Sequence, residues 1–480
     1  MNQTPEPKVP NLLAIASAVL IACANIAQSA GTATNTTSTA PTNAPAWIRQ
    51  PLSLADALNI ALEHSSEILR GRSDLEAAYG IVVQTRAIAL PKVQFAGNYK
   101  YDRGIEQFPF IAPPSTTGAS SLVAVTTPDQ TWSGNVRLVQ SIYEGGRITS
   151  SLRSARLTRE QALLQYQTVV ADTALNVRLA YYDILLAAQQ IVVQEASLAL
   201  LQKELQDTTS RFEAGTVPQF NVLRAEVELA NARPRLIRAR NSYRIAKNNL
   251  ANLLGYHLPP VVLEDIPLRL TGTLDAEPYE IDLPSAVGQA LERRTELAAL
   301  RKAEELNKEN ILSAKSGYKP SVEIFTGYGG HNSSFSTDLA HEVSGWNAGL
   351  QVNWNIFDGL LTQGRIREAR ARHERARVDV DDATRRIELE VRTTYSNFIE
   401  AKEVLESQKK VQEQAEEALR LATSRAAAGT GTQLDVLNAQ TSLTEARTTQ
   451  VQALHDYDTA RARLERAIGQ GVVQTTQPPK

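Results

Sequence analysis

The sequence predicts a mainly helical fold with some β structure, in which very long helices and membrane-type strands form the wall of a hollow cylinder. The runs 147–214 and 365–428 contain no Gly or Pro. A helix of that length rises about 1.5 Å per residue and reaches on the order of 100 Å, whereas a typical globular helix has about 11–12 residues. A strand pattern and an internal duplication complete the prediction.

Apolar residues in the first run recur every seven positions in two series, which is the spacing of a coiled coil. The series are Leu179, Leu186, Val193 and Leu200, and Ile184, Ile191, Leu198 and Leu205. Their offset of five positions separates the two seams by roughly 150° around the helix. A helix with seams at this angle suits a cylinder wall, because it contacts one neighbour on each side.

The N-terminal 30 residues predict an export signal, since an apolar core of signal length follows a lysine and precedes small residues. The tetrapeptide at 20–23, Leu-Ile-Ala-Cys, resembles the bacterial lipobox, in which the cysteine is acylated and becomes the first mature residue. Ordinary cleavage near Ser29 or Ala30, with Cys23 discarded, stays open as the alternative. Residues 31–50, rich in Thr, Ala, Asn and Pro, predict a disordered tether.

The chain is internally duplicated. Trp132 and Trp346 are 214 residues apart, as are Gly215 and Gly429, whereas the earlier pair Pro91 and Pro320 is 229 apart. The difference is a loop that is longer in the first half. The sequence therefore predicts a first repeat at 51–260, a linker at 261–281, a second repeat at 282–470 and a disordered tail at 471–480.

Each repeat is predicted to contain a helical segment, two strands, a long helix, a Gly-Thr turn and a shorter return helix. The predicted strands are about 93–101 and 132–143, then 321–329 and 346–357; the long helices are 147–214 and 361–428; the return helices are 218–254 and 432–468.

The strands alternate apolar and polar residues over about ten positions with aromatics near their ends, which is typical of membrane β-strands. Half-buried strands of a soluble sheet are the alternative. Lys100, Arg137 and Glu323 on the polar faces favour a water-filled lumen. Four strands cannot close a barrel, and an open edge in lipid leaves backbone groups unpaired. Twelve strands from three copies is the smallest closed count that leaves a pore, and four helical columns per chain likewise give a ring of twelve.

Composition excludes several function classes. The formal net charge is −2, which gives no electrostatic case for nucleic acid. A single cysteine excludes an internal disulfide, and the six histidines are scattered and predicted to be solvated surface residues. The sequence contains no recognisable nucleotide-binding loop, catalytic pairing or metal cluster, so we expect neither enzymatic activity nor a cofactor.

The two helix reversals carry a family resemblance. Arg-Phe-Glu-Ala-Gly-Thr at 211–216 is followed by a Val-Leu pair, and Arg-Ala-Ala-Ala-Gly-Thr at 425–430 is followed by another. Together with the duplication, these motifs resemble the TolC family of trimeric outer-membrane channels of Gram-negative bacteria, over about residues 50 to 470. The resemblance implies a homotrimer with a twelve-stranded barrel in outer-membrane lipid and a twelve-helix tunnel through the periplasm.

The resemblance also implies docking of the hairpin tips to a periplasmic adaptor that connects to an inner-membrane pump. The tip residues are Arg211, Ala214, Gly215, Thr216, Arg425, Ala428, Gly429 and Thr430. The family's aspartate rings that narrow the pore correspond to Asp435 and, with a changed residue, to Asn438. A ring of like charges is expected to raise the pKa of its own members. Ala426 and Gly431 replace the family's locking tyrosine and arginine, which puts that closing mechanism in doubt.

We therefore expect a passive exit duct of a tripartite efflux system for small toxic molecules. The exit duct of a type I protein-secretion system, with the same architecture, is the first alternative. A soluble periplasmic coiled-coil scaffold without a pore is the alternative from another class.

Overall fold

The computed structural model describes residues 46–101, 110–111, 122–123, 130–257, 265–332 and 342–470. The chain divides into two units, 1–50 and 51–480. In the first unit, the prediction of a disordered tether over residues 31–50 is wrong at the C-terminal end of that range, because the segment Ala46–Arg49 forms a helix, α1. The predicted signal peptide, Cys23 and the tail lie outside the described residues.

The second unit consists of helices and strands in the predicted alternation. In chain order they are β1 (Pro51–Leu52), α2 (Leu54–His64), α3 (Ser66–Arg86), β2 (Lys92–Tyr101), β3 (Phe110–Ile111), β4 (Leu122–Val123), β5 (Gln130–Glu144), α4 (Arg147–Glu213), α5 (Gln219–Leu253), β6 (Arg269–Leu270), α6 (Leu283–Arg293), α7 (Thr295–Lys315), β7 (Ser321–Asn332), β8 (Glu342–Asn353), α8 (Leu361–Ala427) and α9 (Gln433–Ile468).

The duplication in the sequence is a duplication in the structure. Helices α2 and α6 both have 11 residues, and α3 and α7 both have 21. Helices α4 and α8 both have 67 residues, which corresponds to about 100 Å each. Each long helix follows two consecutive residues with positive φ, and the long helices have no interior Pro to break them.

The four long strands form one antiparallel sheet in the order β2–β5–β7–β8. Its register places Phe95 beside Val136, Val136 beside Tyr328, and Tyr328 beside Trp346, so apolar residues of all four strands share one face. This apolar face is exposed in the single chain, with Phe95 76% and Trp346 81% accessible. The opposite, polar face carries Gln94, Asn98, Lys100, Asn135, Arg137, Glu323, Asn347, Gln351 and Asn353.

The strand predicted at 346–357 is wrong in its bounds. It is observed as Glu342–Asn353, because its pairing with β7 ends at Ser321 opposite Asn353. The chain then turns through Gly359 and Leu360, whose φ values are 65° and 71°. The aromatic and apolar residues at 354–357 therefore follow the strand and do not belong to it.

The helices pack side by side in two successive rows. Next to the sheet the order is α3–α4–α7–α8, and toward the hairpin tips it is α5–α4–α9–α8. Apolar residues such as Ile184, Leu250, Val391 and Leu464 are buried between the columns. Of the two predicted heptad series in α4, Ile184 and Val193 are buried, whereas the other members are half-buried in the single chain.

Residues 265–281, called the strap below, cross the four columns in the order in which they lie. At α5, the Lys247 ammonium donates to the Ile266 carbonyl at 3.0 Å. At α4, the Tyr181 hydroxyl accepts the Gly272 N–H at 3.0 Å, and at α9 the Tyr457 hydroxyl donates to the Glu277 carbonyl at 2.7 Å. At α8, Tyr279 packs edge-on against Phe398 with ring centroids 5.8 Å apart. The strap therefore ties the two hairpins together.

Candidate functional site

Both hairpin tips close with the same helix-terminating motif. The Thr216 N–H donates to the Arg211 carbonyl at 2.9 Å, and the Gly215 N–H donates to the Phe212 carbonyl at 2.8 Å. The second tip repeats these bonds with Thr430 and Gly429. The two glycines have φ of 75° and 76°, the left-handed conformation that this motif places on its glycine.

The eight predicted tip residues lie on the surface of the turns. All of them are exposed. The threonine hydroxyls also donate to the arginine carbonyls, at 2.8 Å in the first tip and 3.3 Å in the second. A Cβ added at Gly215 or Gly429 meets no atom within 4 Å. The backbone of Arg211 and Arg425 thus completes the turn, while both residues are exposed and accessible to a partner.

The return helices begin differently, which the sequence analysis missed. In α9, the Asp435 N–H donates to the Thr432 hydroxyl oxygen at 3.2 Å, and the Thr432 N–H donates to the Asp435 carboxylate at 3.0 Å. This is a capping box, readable from a threonine three residues before an acidic residue. Pro218, at the start of α5, makes no side-chain cap.

The capping box fixes the electrostatics of Asp435. The backbone N–H and hydroxyl of Thr432, with a smaller contribution from the charge of Arg425, hold the pKa of the Asp435 carboxyl below its usual value. A ring of carboxylates is expected to raise the pKa of Asp435. The contacts within a single chain act in the opposite direction and lower it. Asp435 and Asn438 are exposed and one turn apart, whereas the intervening Val-Leu pair at 436–437 is buried. The pair anchors α9 and turns both polar side chains outward.

A network of ion pairs around two buried arginines, Arg294 and Arg466, joins the helices. The Arg466 guanidinium contacts Asp172 on α4 at 2.7 Å and also contacts Glu296 on α7. Arg294, between α6 and α7, binds Glu296 at 3.1 Å and Glu390 on α8 at 2.9 Å. Burial alone would raise the pKa of Glu296, but the two guanidinium groups hold it below its usual value.

One histidine is not the surface residue that the sequence predicted. His455 is only 9% exposed. Its Nε2 lies 2.9 Å from the Asp183 carboxylate and its Nδ1 3.1 Å from Asp456. Burial alone would lower the pKa of His455, but these two carboxylates raise it. The misprediction arose because Asp183 is 272 residues away in the sequence.

Asp458 lies nearby on α9 under the strap and is 6% exposed. Burial raises its pKa to about 6, and the carboxylates of Asp275 and Glu277 on the strap act in the same direction. The positive charges of Arg461 and His455 oppose this shift.

An exposed apolar sheet joined to helical columns about 100 Å long defines a subunit of a membrane channel with a tunnel outside the bilayer. The family described as "Outer membrane efflux protein" matches residues 57–256 and 286–470. The chain belongs to this family, and its resemblance to TolC proteins is confirmed.

Curated relatives and solved structures agree with this family assignment. The outer membrane protein TolC of Escherichia coli (strain K12) is 23% identical over 420 residues, which are 84% of this chain and 79% of TolC. The alkaline protease secretion protein AprF of Pseudomonas aeruginosa is 24% identical over 417 residues, 86% of this chain and 83% of AprF. The crystal structure of the outer membrane protein VceC from Vibrio cholerae has a TM-score of 0.70 at 20% identity, covering 87% of this chain and 96% of VceC.

The chain is therefore an outer-membrane exit duct that extends into the periplasm, of the kind that serves efflux or type I secretion. Its family consists of channel proteins. The soluble scaffold considered from the sequence does not fit this family.

Proposed function

We propose that three copies of the chain close head to tail into one ring, and that this ring passively conducts small molecules out of the cell. The observation that carries the proposal is the order of the elements. Every layer is an open row of four: β2–β5–β7–β8, α3–α4–α7–α8 and α5–α4–α9–α8. One edge consists of β2, α3 and α5, and the other of β8 and α8. Each layer can close only by pairing these unlike edges between copies.

The energetics of the edges favour closure. In lipid, each unpaired backbone group of an open strand costs several kcal/mol, and pairing β8 of one copy with β2 of the next removes that cost. On the helical edge, α5 exposes Phe220, Leu223 and Val227 at a spacing of three and four residues. The α8 edge exposes Val404 and Val411, seven residues apart. These stripes have the spacing of a coiled-coil seam.

The tips support docking to a periplasmic adaptor, through which an inner-membrane pump supplies energy. Gly215, Gly429 and their neighbours are exposed and carry a turn that a partner can contact without disturbing the columns. Asp435 and Asn438 lie just above the second tip. In a ring, three copies of Asp435 would surround the axis and narrow the pore. Asp435→Asn should then weaken cation preference in planar bilayers, whereas Asn221→Gln at the equivalent first-half position should not.

Cysteine cross-linking tests the ring. A variant with Phe95→Cys and Leu350→Cys places one thiol on each sheet edge, and oxidation should give covalent trimers on denaturing gels. A ring that pairs unlike edges predicts no cross-link from Phe95→Cys alone or Leu350→Cys alone. A control with Val136→Cys and Tyr328→Cys, which face each other inside one chain, should stay monomeric. Dimers from either single variant would indicate a two-fold assembly and overturn the proposal.

Deletion of the gene tests which class of molecule the duct transports. For an efflux duct, removing the gene should increase cellular retention of a fluorescent efflux dye, and the wild-type chain should restore export. Loss of a secreted protein with unchanged dye export would instead favour the secretion alternative.

A further inference from the structure

A cavity of about 670 Å³ lies where the sheet meets the helices. It is lined by the ends of β5, β7 and β8, by α7 and by the N-terminal parts of α4 and α8. The lining residues that matter here are Arg147, Asn310, Lys319, Asn353, Arg365 and Arg372. We call it the junction cavity.

The strand register shows on which side of the sheet this cavity opens. Ser321 pairs with Glu144 on one side and with Asn353 on the other, and all three line the cavity. The neighbouring row, with Val322 paired to Val352, belongs to the apolar face. Because successive strand residues point to opposite faces, the cavity opens on the polar face.

The cavity carries an excess of positive charge. Its lining contains four cations and only two carboxylates. Arg147 is neutralised by Glu144 at 2.5 Å, and Arg372 by Glu368 at 2.6 Å. Within the described part of the chain, no carboxylate is paired with the remaining two cations, Lys319 and Arg365. The lining amides of α7 and β8 add hydrogen-bond donors around them.

The fold does not require these charges, because the first repeat lacks them. Lys319 corresponds to Leu90, and Arg365 corresponds to Ser151. The equivalent position in the first half is thus neutral, although both repeats have the same series of helices and strands. The pair of unmatched cations is a property of this one cavity.

We infer that the junction cavity binds small organic anions as they pass along the duct, with Lys319 and Arg365 holding their carboxylate, sulfonate or phosphate groups. This rests on the proposed function in one respect, that the polar face lines the lumen. A cavity lined by one sign of charge raises the local concentration of oppositely charged solutes. In a ring of three copies, six such cations stand at the membrane end of a tunnel whose far end carries Asp435.

The first test is equilibrium binding of inorganic phosphate to the detergent-solubilised protein by calorimetry. Lys319→Gln combined with Arg365→Gln should abolish measurable binding, and each single change should weaken it roughly tenfold, as expected when a hydrogen bond to a charged group is lost. Lys308→Gln is the matched control. Lys308 lies on α7 and is exposed, but it does not line the cavity, so this variant should bind phosphate like the wild type.

The second test is the reversal potential in planar bilayers under a KCl gradient. The double variant should shift toward cation preference, whereas Lys308→Gln and the charge-conserving Lys319→Arg should not. Equal phosphate binding and equal reversal potential in wild type and double variant would overturn the inferred anion site but would not contradict the proposed channel. A wild-type protein that binds phosphate but gives no ion current in planar bilayers would overturn the proposed duct but would still support the anion site.

Discussion

The strap over α9 should loosen as pH rises, because of Asp458. At low pH this carboxyl is protonated and faces Asp275 and Glu277 without a charge. Its folded-state pKa is about 6 and its ordinary value 3.8, so the folded state binds the proton more tightly. The stabilisation is therefore complete below about pH 4 and is lost as the pH rises to 6 and above. Arg461 and His455 keep the ionised form tolerable but do not remove the repulsion.

The size of the effect follows from the pKa. At full burial, the difference between 3.8 and about 6 corresponds to roughly 3 kcal/mol. Solvent screening at a site covered only by the strap reduces this to about 1–2 kcal/mol. A change of that size alters the population of the opened strap by about 5–30-fold.

Hydrogen exchange of the strap amides measures this population directly. After correction for intrinsic rates, protection of 265–281 in the wild type should be about 5–30-fold higher at pH 3.5 than at pH 7. Asp458→Asn should show the high protection at both values, since it removes the ionisation but keeps the shape. Asp379→Asn, an exposed position on α8, should behave like the wild type. Retention of the full pH dependence in Asp458→Asn would refute the reasoning.

Three further predictions concern single positions. Leu360→Gly should stabilise the protein by up to about 1 kcal/mol in urea unfolding, because it relieves the only positive φ of a non-glycine among the described residues; a loss of stability would contradict this. Arg466→Met should cost about 1–3 kcal/mol by removing the charge-assisted hydrogen bonds of a buried guanidinium to Asp172 and Glu296, while the exposed Arg420→Met should change little. Gly429→Val should leave trimers intact but lower efflux, and Gly429→Asn, which tolerates a left-handed φ, should retain it.

The fold was predictable because its signals are local and repeated. A run of more than 60 residues without Gly or Pro inside each long helix, a strand with strict alternation and a glycine at each reversal need no tertiary information. The end of β8 was mispredicted because alternation continues to Ile356, whereas pairing stops where β7 begins, opposite Asn353. The alternation reports which face a residue occupies, not whether a neighbouring strand is present.

The site was less predictable because its contacts join distant segments. The Arg466 network brings together α4, α7 and α9, and no spacing in the sequence indicates which carboxylate a given arginine meets. The junction cavity likewise combines Lys319, which follows α7, with Arg365 on α8. The capping box of Asp435 is the exception, since Thr432 lies three residues before it and could have been read directly.

Position in the row of helices, more than local sequence, decides what each copy of a motif does. The Val-Leu pairs after the two tips are identical, yet Leu437 is 5% exposed and Leu223 is 52% exposed. Leu437 lies on α9, which has a helix on both sides, whereas Leu223 lies on the edge helix α5. A residue kept apolar at an exposed edge implies a surface that a neighbouring copy covers. The duplication thus supplies two equivalent hairpins, and their unequal places in the row turn one into an inner wall and the other into a contact between copies.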